Sequence, residues 1–199
     1  MRQKVLLVVI ALLAVLLVGA PTAFATNLLA NGSFETGDLT GWTEGGAGGI
    51  DVVTGPFYAY SAAQDGSWYL GLGPVGGDGT LSQTISDTAG THYTFSFWFA
   101  SVGDSPSDFS AYWNSTQLLS LTNPNTGSNW TEFSFDVVGT GSDTVQFNFR
   151  DDPAWMALDN ISVGTGPPPT TPEPSSLLLL GSGLLTVGGV IRRKLKANR

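Results

Sequence analysis

Between residues 26 and 166, apolar side chains recur at every second position in short runs, and clusters of Gly, Asn, Asp, Ser and Thr separate the runs. Period-two alternation marks strands with one buried face, and no stretch here shows the 3.6-residue spacing of an amphipathic helix. The densest run is Tyr93-Thr94-Phe95-Ser96-Phe97-Trp98-Phe99. It places Tyr93, Phe95, Phe97 and Phe99 on one face and Thr94, Ser96 and Trp98 on the other. Trp68, Leu70 and Leu72 share a face, with Tyr69 opposite. Thr131, Phe133, Phe135 and Val137 form another stripe, and Val145, Phe147 and Phe149 a further one. Phe109–Trp113 and Gln117–Leu121 flank Asn114-Ser115-Thr116, the pattern of a hairpin. A last strand is expected over Trp155–Val163. Gln83 falls on the same face as Leu81 and Ile85. A buried amide needs partners, so Gln83 is expected to tie its strand to a loop.

About nine or ten strands of this kind suit an all-β, two-sheet jelly-roll sandwich. Leu28, Phe34 and Trp42 are expected core anchors around the Asn31-Gly32 turn.

Both ends depart from this pattern. Met1–Ala25 has a basic start (Arg2, Lys4), an apolar run from Val5 to Val18, and Ala23-Phe24-Ala25. That pattern predicts a signal peptide, a helix cut by signal peptidase after Ala25. At the other end come Pro172-Glu173-Pro174, an uncharged apolar segment over 175–191, and then Arg192, Arg193, Lys194, Lys196 and Arg199. The segment is near the lower length limit for a single transmembrane helix through the inner membrane. Its basic tail would stay cytoplasmic. The expected division is a signal peptide (1–25), a β-sandwich domain (26–164), a Pro-rich linker (165–174), a transmembrane helix (175–191) and a basic tail (192–199). This order of Pro-Glu-Pro, apolar helix and basic tail resembles the PEP-CTERM sorting signal of Gram-negative bacteria. The resemblance implies an exosortase as processing partner. It also implies an inner-membrane intermediate followed by the cell surface or extracellular polysaccharide matrix.

Charge separates the domain from its ends. Of the chain's 8 Lys and Arg, Arg150 alone lies between the two sorting segments, against 15 of the 16 acids. A surface near −14 repels nucleic acid, so no nucleic-acid partner is expected. Cysteine is absent, so an exported domain must rely on its core or on a bound ion. Acid-rich composition with one histidine favours calcium over zinc.

The opening Asn27-Leu28-Leu29-Ala30-Asn31-Gly32-Ser33-Phe34-Glu35, the run Gly66–Leu72 and the Leu81-Ser82-Gln83 strand resemble the carbohydrate-binding-module-like, galactose-binding-like jelly rolls. That resemblance implies a structural calcium between Glu35 and Asp159. Two carboxylates brought together in so acidic a domain would need a hard cation or a proton; the alternative is two exposed turn acids. Strict alternation puts Asp159 on the face of Ile161 and Val163, so a bulge or a bound ion is expected there.

Sugar rings pack their C–H faces on flat aromatics. Candidate platforms are Trp98, Trp113, Trp130 and Trp155, with Tyr58 and Tyr60 in a loop, whereas Trp42 and Trp68 are expected in the core. His92 is the sole histidine and no nucleophile elbow is present, so an enzyme is not expected. The function expected is non-catalytic association with carbohydrate, an exopolysaccharide being the ligand. A structural acidic surface protein without specific ligand is the alternative, and a glycan-active hydrolase the third reading.

Overall fold

In a computed structural model, residues 26–152 and 154–165 are described. They contain ten strands and no helix: β1 (Thr43–Gly46), β2 (Ile50–Thr54), β3 (Trp68–Leu72), β4 (Gly79–Ser86), β5 (His92–Ala100), β6 (Ser107–Trp113), β7 (Thr116–Thr122), β8 (Thr131–Val138), β9 (Ser142–Asp151) and β10 (Met156–Gly164). The expected signal helix, transmembrane helix and basic tail lie outside the described residues.

The strands form two five-stranded antiparallel sheets, ordered β1-β4-β9-β6-β7 and β2-β3-β10-β5-β8. The inward stripes are those the alternation predicts. From β5, Phe95, Phe97 and Phe99 are fully buried and meet Phe109, Phe147 and Phe149 of the facing sheet. The Phe97 ring packs edge-on against Phe147 at 5.1 Å and lies 5.8 Å from Phe109. Offset and edge geometries suit the aromatic quadrupole, and losing one such ring costs about 3–5 kcal/mol. The jelly-roll expectation holds in this architecture.

Local chemistry sets the joints. Asn114 takes φ 53 in the turn between β6 and β7, a left-handed conformation that Asn tolerates. Its side-chain oxygen accepts the Thr144 amide at 2.8 Å, tying the hairpin to β9. Gln83 faces inward, as expected. Its Oε1 accepts the Ala30 amide at 2.7 Å and its Nε2 donates to the Ala30 carbonyl at 3.0 Å. The opening segment is thereby stitched to β4, and on its other side to β10, where Asn27 Nδ2 donates to the Ile161 carbonyl. Phe34 and Trp42 are buried and Leu28 packs against the same core.

The expected bulge is present in β10. Its register against β5 shifts between Asp159 and Ser162, and Asn160 adopts φ 47. One extra residue reverses the parity, so Ile161 and Val163 point into the core. Asp159, paired with Trp98, instead points to the outer face of its sheet.

Candidate functional site

The two sheets differ in what happens outside them. Over the β2-β3-β10-β5-β8 sheet lies the β2–β3 loop, residues 55–67. It builds a small second core in which Tyr60 and Tyr69 are buried with Ala100 and Ala157, flanked by Phe57 and Trp130. Two carboxylates hold this loop by backbone amides. Asp159 Oδ2 accepts from Gln64 and Asp65 at 2.8 and 3.0 Å, and Glu35 Oε1 accepts from Ser67 and Trp68, both at 2.8 Å. Burial pushes the Asp159 carboxyl up to about 6, against the pull of those amides and of the Asn160 amide.

Glu35 and Asp159 thus converge on one five-residue segment. Three of their four oxygens receive amide hydrogens, and Glu35 Oε2 receives none. A cation could share this pair only through Glu35 Oε2 and the lone pairs left beside the amides. No cluster of three or more His, Cys, Asp or Glu suited to a metal ion occurs among the described residues.

The capping loop also accounts for three of the six candidate stacking aromatics, Tyr60, Trp130 and Trp155. Tyr60 is 2% exposed and donates its hydroxyl to the Trp155 carbonyl at 2.6 Å, so it is packing under the loop and not an open platform. Trp130 meets Tyr69 edge-on at 5.8 Å and donates Nε1 to the Ala62 carbonyl. Trp155 packs edge-on against Phe57 at 5.1 Å. Trp113 corrects the sequence expectation outright. It is 6% exposed, points into the main core beside Phe95, and donates Nε1 to the Val138 carbonyl. Its parity follows Phe109 and Ala111, both buried on the same strand. Trp98 is half-buried on the outer face between Glu132 and Asp159. Tyr58 is the one candidate that stands well out of the surface, at 55% exposure, with its hydroxyl on Asp104 at 3.2 Å.

The outer face of the β1-β4-β9-β6-β7 sheet carries no such layer among the described residues. Register places Thr43, Ser82, Gln146 and Tyr112 in one row across it, with Gln117 beyond Tyr112. The next row runs Gly45, Thr80, Asn148, Ser110 and Ser120, and a third sets Arg150 opposite Asp108. Every outward side chain in these rows is polar, and Tyr112 is the aromatic among them. Their hydrogen bonds run along the sheet. Gln146 Nε2 donates to Asn148 Oδ1 at 2.7 Å, and Gln117 Nε2 to Ser110 Oγ at 3.3 Å. These bonds preorient two amides and leave further donors and acceptors on each.

At the foot of the face, Arg150 is held by Asp152, Nη2 to Oδ2 at 2.7 Å. Burial pushes the Asp108 carboxyl up, Asp78 adds to the push, and Arg150 opposes it. The face therefore offers neutral amides, hydroxyls, one ring and a balanced charged group. Such a set can take hydroxyl-rich ligands by paired hydrogen bonds with a ring beneath them. Tyr112 is not among the aromatics expected from the sequence to be platforms, yet alternation across the adjacent pair Tyr112-Trp113 sets the two on opposite faces.

Comparison with known proteins matches a sorting motif and the fold. Residues 170–194 match the PEP-CTERM protein-sorting motif, which covers the expected Pro172-Glu173-Pro174 and part of the basic tail. A search of curated proteins finds no match. Among solved structures, TmCBM61 in complex with β-1,4-galactotriose is similar at TM-score 0.59 and 19% identity, over 71% of this chain and 100% of that one. The K1 cleaved adhesin domain of Lys-gingipain from Porphyromonas gingivalis W83 follows at 0.52 and 19%, over 68% and 96%. The enzymatically active domain of tailspike protein 4 from bacteriophage CBA120 matches at 0.51 and 19% over 69% of this chain, which spans 21% of the tailspike. The jelly-roll fold is thus shared with the carbohydrate-binding module TmCBM61, an adhesin domain and a tailspike domain.

Proposed function

We propose that this chain, which carries the PEP-CTERM sorting motif, is an exported, non-catalytic glycan-binding protein that takes a neutral polysaccharide along the open face of the β1-β4-β9-β6-β7 sheet. The carrying observation is the row in which Tyr112, Gln146 and Ser82 stand side by side with Asn148 and Ser110 below them. A ring supports a sugar face while amides bridge vicinal hydroxyls, and the face is free of the loop that covers the other sheet. The surrounding acidity favours a neutral chain over a uronic one, because one Arg among 15 acids cannot compensate a second polyanion. The galactotriose-bound relative supports the ligand class by analogy of fold alone.

The sorting motif supports a surface-bound route, and the processing partners of this reading are signal peptidase and exosortase. Mass spectrometry of surface-located protein should find Arg192–Arg199 removed; their retention would refute exosortase processing. A calcium ion at Glu35 and Asp159 belongs to the same proposal, as a second fastening of the capping loop. Identical thermal midpoints in calcium and in chelator would dismiss it.

A glycan array probed with the full chain in detergent tests the central claim. Neutral polysaccharides should bind, and a Tyr112→Ala chain should not. Binding by neither, with calcium present or absent, would favour the second reading. That reading is a structural acidic surface protein, which the domain's charge of about −14 independently supports.

A further inference from the structure

At the end of the sandwich where β9 finishes, Asp151 is 1% exposed, and its Oδ1 has no hydrogen-bond partner. No side-chain hydrogen bond to either Asp151 oxygen occurs among the described residues. Buried carboxylates in folded proteins are otherwise matched by donors or by cations, since an unpaired charge loses its hydration with nothing in return. Other buried acids of this domain obey the rule. Asp143 is fully buried and receives Asn114, the Thr140 hydroxyl and the Thr140 amide, while Asp159 receives three amides. Half-buried Asp87 also has an unpartnered oxygen, Oδ2, but its Oδ1 accepts the Gly141 amide. Among the three buried acids Asp151 is the exception.

Its neighbours make the exception sharper. Asp104, in the β5–β6 loop, and Asp152 both act on it as like charges. The positive group nearby, Arg150, is bound to Asp152 through Nε and Nη2 and gives Asp151 no hydrogen bond. Tyr58 donates to Asp104, and Tyr60 donates away to the Trp155 carbonyl, so neither phenol serves Asp151. Burial above all, then Asp104, then Asp152, pushes the Asp151 carboxyl up to about 6. The backbone is fixed on both sides, because the Asp151 amide donates to the Pro74 carbonyl and Ser107 Oγ donates to the Asp104 carbonyl.

We propose that Asp151 and Asp104 hold a hard divalent cation of the calcium type, at a site separate from the Glu35–Asp159 pair. The donors are carboxylate oxygens, and the domain lacks spare cationic side chains to serve instead. Such an ion would join β9 of one sheet to the β5–β6 loop. Through Asp104 it would also steady Tyr58, the well-exposed aromatic at this end of the molecule. The proposal does not depend on glycan binding by the open sheet.

Terbium serves as the probe, excited through Tyr58, Tyr60 and Trp155 in the full chain in detergent, with calcium as competitor. Saturable emission displaced by calcium is expected. Asp151→Asn should weaken that emission's titration by about tenfold or more, because one charged ligand is lost. Asp104→Asn, in the half-buried β5–β6 loop, should weaken it in the same direction, and Glu35→Gln should leave this component in place. In chelator, Asp151→Asn should melt no lower than the parent. An unchanged titration in both Asp variants would overturn the site. So would a melting gain for Asp151→Asn that is equal in calcium and in chelator, which would mean that a proton, not a cation, neutralises the carboxyl.

Discussion

Tyr112 of β6 stands directly opposite Gln146 of β9 on the uncovered face of the sandwich. The ring and the amide are neighbours across one ladder step, about the spacing at which cross-strand side chains act together. Replacing Tyr112 by Ala should weaken binding of a neutral polysaccharide by at least about tenfold, roughly 1.4 kcal/mol. Gln146→Ala should weaken it less, and the thermal midpoint should barely move in either case. Isothermal titration with a glycan found on the array measures both. Equal affinity of parent and Tyr112→Ala would remove the open face from consideration.

Glu35 and Gly66 define the fastening of the capping loop. Gly66 has φ +65, and a Cβ there would lie 2.3 Å from the Glu35 carboxyl carbon. Gly66→Ala should therefore destabilise by more than about 1 kcal/mol, through both backbone strain and displacement of Glu35. Glu35→Ala should cost about 1 kcal/mol, because the exposed Ser67 and Trp68 amides exchange a charged acceptor for water. Chemical denaturation reads both. Faster hydrogen exchange confined to residues 55–67 would distinguish loop release from global loss.

Gln83 is judged by what it leaves behind. Gln83→Leu keeps the volume but strands the Ala30 amide and carbonyl, and a cost of about 2 kcal/mol is expected. Gln83→Glu should be intermediate, since it can still accept from the amide. A leucine variant as stable as the parent would show that the opening segment is held by other means.

The opposite end of β9 sets an acid limit. Burial raises the Asp143 carboxyl, but hydrogen bonds from Asp87, Asn114 and Thr140 outweigh it and hold the group at about 2. Asp87 is pushed up by burial and by Asp143, so it takes the pair's first proton on acidification. A depressed carboxyl contributes stability above its ordinary value near 3.9 that is lost as pH falls toward its folded value. The thermal midpoint should accordingly drop between about pH 4 and pH 2, and Asp143→Asn should flatten that drop while starting lower at neutral pH. Scanning calorimetry across this range decides it.

Much of this molecule is determined by the chain alone. Period two leaves a strand no choice of face, so Phe95, Phe97, Phe99, Phe147 and Phe149 had to point inward together. A polar residue on such a stripe, Gln83, had to find partners, and a stripe broken at Asp159 had to contain a bulge. The sorting motif is equally local, a contiguous run that needs no fold to be recognised. What the outer faces do is another matter. The loop over one sheet is held by Asp159 from 95 residues away and by Glu35 from 32, contacts that no local pattern encodes. Those contacts turned Tyr60, Trp130 and Trp155 into packing for the loop, and they left Tyr112 on the face that stayed open. Alternation assigns a side chain to the outside of its sheet; only the tertiary path of the loops decides whether that outside meets solvent.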